Sequence, residues 1–177
     1  HIHAVESAKE MYDAVMQHVE TGMDAFISVA AVADYRAAQV SRQKLKKGQC
    51  GAAPAIKLTE NPDILRSVAM LPNAPFCVGF AAESENVLAN ARTKRQKKHV
   101  PLMVANDVAV AMGQSSNQII LLDDEQERAL PQMSKEQAAK YIVVRMITLM
   151  RARAAKAAAA KPKAPNETGK PIEKKQP

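Results

Sequence analysis

Aromatic side chains are scarce in this chain. Of its 177 residues only three are Phe and three are Tyr, and Trp is absent, although hydrophobic residues make up 47% of the composition. The core must therefore be built from Val, Ile, Leu, Ala and Met, and the nine methionines are better explained as gap-filling core residues than as metal ligands. The length fits one domain. So few aromatic residues argue against a surface that stacks the bases of nucleic acid.

Cysteines and long apolar runs are also few. Cys50 and Cys77 lack the spacing of a metal-binding motif and are too few to staple a small secreted scaffold, so we expect two free thiols in a reducing, cytoplasmic compartment. No run approaches the ~20 apolar residues that span a bilayer, and we expect no membrane partner. His1 begins the chain without a signal peptide or an initiating Met, which suggests a piece of a longer polypeptide.

The positive charge is concentrated at one end of the chain. The net charge is +7, and residues 151–177, with eight Lys or Arg and two Glu, carry +6 of it. The last residues are rich in Ala, Lys and Pro, so we predict a domain over 1–153 followed by a disordered basic tail over 154–177. A basic nucleic-acid-binding module remains an alternative, but the nearly neutral domain argues against a nucleic-acid partner.

Short apolar runs alternate with amphipathic stretches, which is the pattern of an α/β domain with a mostly parallel sheet. Asn61 is expected to cap a helix that Pro62 begins, Ser84 to cap the next helix, and Ser134 to form a capping box with Gln137. The predicted elements are strands over 26–32, 56–59, 76–82, 101–105 and 118–122, and helices over 7–20, 62–71, from 84 onward, and 134–153.

Polar residues follow three of these strands: Asp34-Tyr35-Arg36, Glu83, and Asn106-Asp107. In open α/β sheets the ligand lies outside the carboxyl ends of the strands, so these endings favour a shared site over solvated loops. Lys94 and Lys98 lie on one helical face, and with the cluster that begins at Lys44 they would suit a polyanion such as a triphosphate. The alternative is that they are solvated and complement a helix dipole.

Six segments in order and spacing resemble phosphopantothenoylcysteine synthetase, the phosphopantothenate–cysteine ligase of coenzyme A biosynthesis. The resemblance covers roughly residues 5–141 and implies a Rossmann-like three-layer sandwich. The segments are AAVADYR (30–36), QKLKK (43–47), LTENPDIL (58–65), VGFAAE (78–83), ARTKRQKK (91–98) and ANDV (105–108).

The resemblance implies a reaction in two steps. The carboxylate of 4′-phosphopantothenate attacks the α-phosphate of CTP, giving an acyl-cytidylate, and the amine of cysteine then displaces CMP. Lysines and Mg²⁺ would screen the charge of the two anions as they meet. In most bacteria this domain is the C-terminal half of a bifunctional protein whose FMN-dependent half is a decarboxylase, and the ligase domains form dimers. Nucleotide preference rests on the resemblance alone, because some relatives use ATP.

The resemblance also implies roles for individual residues. Lys44 would bind phosphate from a mobile flap, and the Ala30 backbone would lie near the reacting carboxylate. Asp34 would contact CTP or its Mg²⁺, and no other metal ligand is suggested. The remaining implied residues are Asn61, Pro62, Asp63, Ile64 and Phe80 in the nucleotide pocket, and Lys94 and Lys98 at the phosphates.

One departure from the family pattern is large. Family members begin this domain with a strand, a Gly-rich turn and an Asn-containing segment that binds phosphopantothenate, and the chain starts after these parts. We therefore expect this chain to retain much of the CTP pocket without completing the ligation. A Rossmann-type oxidoreductase that binds NAD remains a second alternative, although its Gly-rich fingerprint is missing from the chain.

Overall fold

The structure is a computed structural model that describes residues 1–41, 43, 55–107 and 116–160. Along the chain, its strands are β1 (Ala25–Ser28), β2 (Tyr35–Ala37), β3 (Leu58–Glu60), β4 (Phe76–Glu83), β5 (Leu102–Asp107), β6 (Ser116–Asn117), β7 (Ile119–Leu122), β8 (Glu127–Ala129) and β9 (Met133–Ser134). Its helices are α1 (Ala8–Glu20), α2 (Ile64–Ala69), α3 (Val87–Lys98) and α4 (Lys135–Ala159).

The central sheet has five strands in the order β1-β4-β5-β7-β8. β1, β4 and β5 are parallel, with Ser28 beside Gly79 and Glu83 beside Asp107. β7 and β8 complete the sheet as antiparallel strands. The predicted α/β class with a mostly parallel Rossmann-like sheet is confirmed, and the antiparallel strands form one margin of it.

Helices cover both faces of the sheet. On β4, Cys77 and Ala81 point to one face, where α1, α2 and α3 contribute Val19, Val68 and Ala91 to a buried cluster. Alternate residues of the same strand point to the other face and pack against α4 through its buried side chains. A strand that is buried on both faces reads as a continuous apolar run, which is why β4 was easy to predict.

One predicted cap is confirmed: Ser134 and Gln137 form a capping box at α4. Ser7 and Glu10 form a second capping box at α1, which was not predicted. α4 is longer than predicted and reaches Ala159. Across the described part of the chain, no helix is both long enough and apolar enough to cross a membrane.

Two other caps were predicted wrongly. The N-cap of α2 is Asp63, whose side chain accepts a hydrogen bond from Arg66 N, because the side chain of Asn61 is bonded elsewhere. The N-cap of α3 is Asn86 rather than Ser84, and it adopts a left-handed conformation without a side-chain cap bond. Asparagine tolerates that conformation better than most residues.

The first core strand is also shorter than predicted. β1 ends at Ser28 and does not continue to Val32. Its pairing with β4 stops at Gly79, and a tight turn in which Val32 N donates to Ala30 O (3.1 Å) then bends the chain. The apolar residues after Ser28 therefore lead out of the sheet, and Val29 is 64% exposed.

Candidate functional site

The candidate site lies at the carboxyl ends of the parallel strands. β4 and β5 end side by side at Glu83 and Asp107, and the exposed Ala30 follows the end of β1 by two residues. The loop before α2 and the face of α3 carry the other candidate side chains. This is the edge at which open α/β sheets bind ligands.

A two-stranded ribbon of β2 and β3 attaches the Asp34 segment to the loop before α2. The strands pair antiparallel, with Tyr35 beside Glu60. Beyond this pair, Asn61 N donates to Asp34 O at 2.8 Å, and the Asn61 side-chain amide donates to Ala33 O at 2.8 Å. Asp34 and Asn61, which are 27 positions apart in the sequence, are therefore neighbours in space.

Asp63 connects this loop to α3. One of its carboxylate oxygens caps α2, and the same oxygen lies 3.0 Å from Lys98 Nζ. The next residue, Ile64, is buried and begins α2, and the preceding Pro62 is partly buried. The predicted pocket residues 61–64 and the predicted lysine Lys98 thus form one contiguous group.

Lys94 forms a second ion pair one helical turn away. Its Nζ lies 2.6 Å from Glu83 Oε1, and the Glu83 side chain is only 13% exposed. Asn90 approaches the other oxygen of Glu83 at 3.4 Å. Both predicted phosphate-binding lysines are therefore paired with a carboxylate, Lys94 at the end of β4 and Lys98 beside the loop before α2.

One predicted residue, Phe80, does not join this group, and another, Lys44, lies outside the described residues. The Phe80 side chain is partly buried on the opposite face of the sheet, in the cluster that packs against α4. The Phe80 side chain points away from α2 and α3, because successive side chains of a strand point to opposite faces. Phe80 could therefore contribute to the predicted pocket only through its main chain. Like Lys44, its neighbours Lys46 and Lys47 lie outside the described residues.

The prediction overlooked the contacts of Arg36 and of Glu83. Arg36 Nη1 donates to Glu60 O and to Asn61 Oδ1, and Glu83 holds Lys94. Both residues belong to the sequence motifs: Arg36 lies two positions after Asp34, and Glu83 is the last residue of β4. A polar side chain beside a strand end was a signal for each of them, but its partner across the fold was not visible in the sequence.

Asp34 could contribute a single carboxylate ligand to a magnesium ion. Among the described residues there is no group of three or more His, Cys, Asp or Glu side chains that could hold a metal ion. Mg²⁺ commonly binds through substrate phosphates, waters and only one or two carboxylates. The exposed carboxylate of Asp34 suits that role, whereas a site built wholly from protein ligands would need more acidic residues here.

The free thiol of Cys77 is not part of the site. It is 1% exposed near the start of β4, at the opposite end of the strand, and its Sγ lies 3.5 Å from Pro75 O. Burial raises the pKa of Cys77 to about 11, so the reactive thiolate is disfavoured. Covalent catalysis through this cysteine is therefore not supported by its surroundings.

Comparison with known proteins identifies the family. Residues 1–150 match the family described as the DNA/pantothenate metabolism flavoprotein C-terminal domain. The chain belongs to this family. The coenzyme A biosynthesis bifunctional protein CoaBC of Vibrio vulnificus (strain YJ016) is 47% identical over 150 residues, which are 82% of this chain and 37% of that protein. The chain thus spans little more than a third of the curated relatives that it matches.

Solved structures agree with this family assignment. The crystal structure of the C-terminal domain of CoaBC has a TM-score of 0.66 and 30% identity, and the match covers 83% of this chain and 64% of that one. A Cab2 variant in complex with phosphopantothenate-cysteine has a TM-score of 0.57 at 17% identity, covering 85% and 59%, and shows a shared fold. The resemblance that the sequence motifs indicated is confirmed.

Proposed function

We propose that this chain carries the CTP-binding part of the ligase domain of a coenzyme A biosynthesis enzyme, which joins cysteine to 4′-phosphopantothenate with CTP as co-substrate. The observation that carries the proposal is its family membership, at 47% identity to a coenzyme A biosynthesis bifunctional protein. The relative solved with phosphopantothenate-cysteine supports the choice of product. The group formed by Asp34, Asn61, Asp63 and Lys98 at the strand ends supports a nucleotide site.

In this proposal the lysines change partners when CTP binds. Lys94 and Lys98 leave Glu83 and Asp63 for the phosphate oxygens, and Lys44 adds a third positive charge. These charges stabilise the negative charge that develops as the carboxylate of phosphopantothenate attacks the α-phosphate. Pyrophosphate leaves, and cysteine then displaces CMP through its amine, so no nucleophile from the protein is needed.

The remaining groups are assigned by their chemistry. The nucleotide would be surrounded by Asn61, Pro62, Asp63, Ile64 and the main chain of Phe80. Asp34 would contact the nucleotide or its Mg²⁺, and the Ala30 backbone would lie beside the acyl group. Mg²⁺ bound to the phosphates supplies further charge stabilisation. The whole enzyme would act in the cytoplasm as a homodimer or higher oligomer, with FMN only in a fused decarboxylase half, and without nucleic-acid or membrane partners.

Thermal unfolding with nucleotides tests the proposal. CTP with Mg²⁺, at 100 times its dissociation constant, should stabilise the chain by about 2.7 kcal/mol and raise its midpoint by several degrees. ATP and NAD at the same concentration should raise it less. Lys98→Gln and Lys44→Gln should each reduce the CTP effect, because each removes a positive charge from the phosphates.

Lys9→Gln is the matched control, because Lys9 is 70% exposed and pairs with Asp13 on α1. It should leave the CTP effect unchanged. A midpoint that rises with NAD and not with CTP would replace the ligase with the oxidoreductase alternative. A chain that no nucleotide stabilises would contradict the proposed site.

A further inference from the structure

Arg36 makes contacts that its exposed position on β2 does not require. It pairs with Thr59 across the ribbon. Its Nη1 then reaches past the strand end and donates to Glu60 O at 2.5 Å and to Asn61 Oδ1 at 3.1 Å. A single guanidinium nitrogen thus joins the backbone of β3 to the side chain of the first residue in the loop before α2.

The contact with Arg36 determines which way the Asn61 amide points. An asparagine amide has an acceptor oxygen and a donor nitrogen, and only the oxygen can accept from arginine. With Oδ1 directed at Arg36, Nδ2 is directed at Ala33 O, to which it donates at 2.8 Å. Asn61 N donates in addition to Asp34 O. The backbone around Asp34 is therefore held by Asn61, and Asn61 is held by Arg36.

We propose that Arg36 is a positioning residue for the nucleotide site. It does not contact the nucleotide itself. It fixes the orientation of Asn61, and Asn61 sets the distance between Asp34 and the residues 61–64. The inference deepens the proposed function and rests on it, because it assigns a further residue to the same CTP site.

This role differs from a general contribution to stability. Arg36 belongs to a ribbon outside the five-stranded sheet, and all three residues of β2 are exposed. Both buried clusters are made of other elements. Loss of Arg36 therefore leaves the core intact and affects the geometry of residues 33–34 and 61–64. The melting midpoint without ligand should change little, whereas CTP affinity should fall.

A double-mutant cycle measured by CTP titration tests the inference. Arg36→Ala should weaken CTP binding about tenfold, because the loss of the hydrogen bonds from a charged donor releases the Asn61 amide. Asn61→Ala should weaken it at least as much. The double variant should bind CTP no worse than Asn61→Ala alone, because Arg36 acts through Asn61. The midpoint of each variant without nucleotide is recorded alongside its affinity.

Arg92→Ala is the control for loss of an exposed arginine. Arg92 donates two hydrogen bonds to Glu127 on β8, and its removal should leave CTP affinity unchanged. Two results would overturn the role of Arg36: CTP affinity retained in Arg36→Ala, or effects that simply add in the double variant, as expected for charge attraction alone. If the unmodified chain binds no CTP, the proposed function itself fails, and that result is separate from both.

Discussion

The carboxylate of Asp123 is fully buried, and four hydrogen bonds hold it in place. Arg145 on α4 donates two of them, through Nε at 2.8 Å and Nη2 at 2.7 Å, and the backbone of Glu125 and Gln126 donates the others. Breaking one partner of a buried ion pair leaves the other charge uncompensated. This pair therefore fastens α4 to the turn between β7 and β8.

Asp123→Asn should lower the free energy of unfolding by about 3 kcal/mol, because the partly buried Arg145 loses its main counter-charge and keeps only the exposed Glu125. Urea unfolding followed by circular dichroism measures the change. Asp13→Asn removes the exposed Lys9–Asp13 pair and should change the same quantity by less than about 0.5 kcal/mol. Equal effects of the two substitutions would contradict the importance of burial.

The ionisation of Asp123 also determines how the free energy of unfolding depends on pH. Burial opposes ionisation of Asp123, but the hydrogen bonds from Arg145 and the backbone outweigh it, and the pKa lies below its ordinary value of 3.8. A lowered pKa contributes stability that is present above the unfolded pKa and is lost as pH falls through the folded pKa. The difference between the parent chain and Asp123→Asn should shrink as pH falls below about 4. A constant difference from pH 7 to pH 2 would be inconsistent with this ionisation.

At the level of elements, Gly79 allows α2 to lie close against β4. A Cβ at this position would be 2.7 Å from Leu65 Cδ2 and 3.1 Å from Met103 Cε. Gly79→Ala should therefore destabilise the fold by about 1–3 kcal/mol through overpacking. Leu65→Val removes the atom in the way, so the double variant should be more stable than the sum of the single effects predicts. Additive effects in urea unfolding would show that the contact does not limit the packing.

The elements that were predicted best are those whose pattern comes from burial. β4 and β5 are apolar on both faces, and α1 and α4 have capping boxes, so local sequence was sufficient for all four. The ribbon of β2 and β3 was only partly predicted, because its exposed residues have no apolar alternation and its pairing connects distant segments. The antiparallel direction of β7 likewise depends on the path of the chain between strands.

The candidate site was predictable as a list of residues but not as a set of contacts. The strand ends and the motif resemblance indicated Asp34, Asn61 and Lys98. They did not indicate that Asn61 bonds to the Asp34 segment, or that Lys98 and Lys94 are paired with Asp63 and Glu83. The sequence places a charge near a strand end, whereas its partner is chosen by the packing of α2 and α3 against the sheet.

For the molecule as a whole, the distribution of charge predicts its behaviour with nucleic acid. The first 150 residues have a net charge of +1, and the basic end carries the remainder. Any binding of the full chain to duplex DNA at low salt should disappear when residues 154–177 are removed, because counterion release requires clustered positive charge. Fluorescence anisotropy over a range of salt concentrations measures this. Salt-sensitive binding that persists in the shortened chain would favour the nucleic-acid-binding alternative.

The ribbon of β2 and β3 also brings together the two ends of a longer segment. Ala38 N donates to Lys57 O at 2.9 Å, so the two residues that flank positions 39–56 lie side by side. Lys44 is six residues from Ala38 in the sequence, and six residues of any chain span at most about 22 Å. A side chain tethered in this way has a local concentration on the order of millimolar or higher around its anchor. In the proposed function, the encounter of Lys44 with a nucleotide bound at the neighbouring strand ends would thus be intramolecular, and dilution of the protein would not slow it.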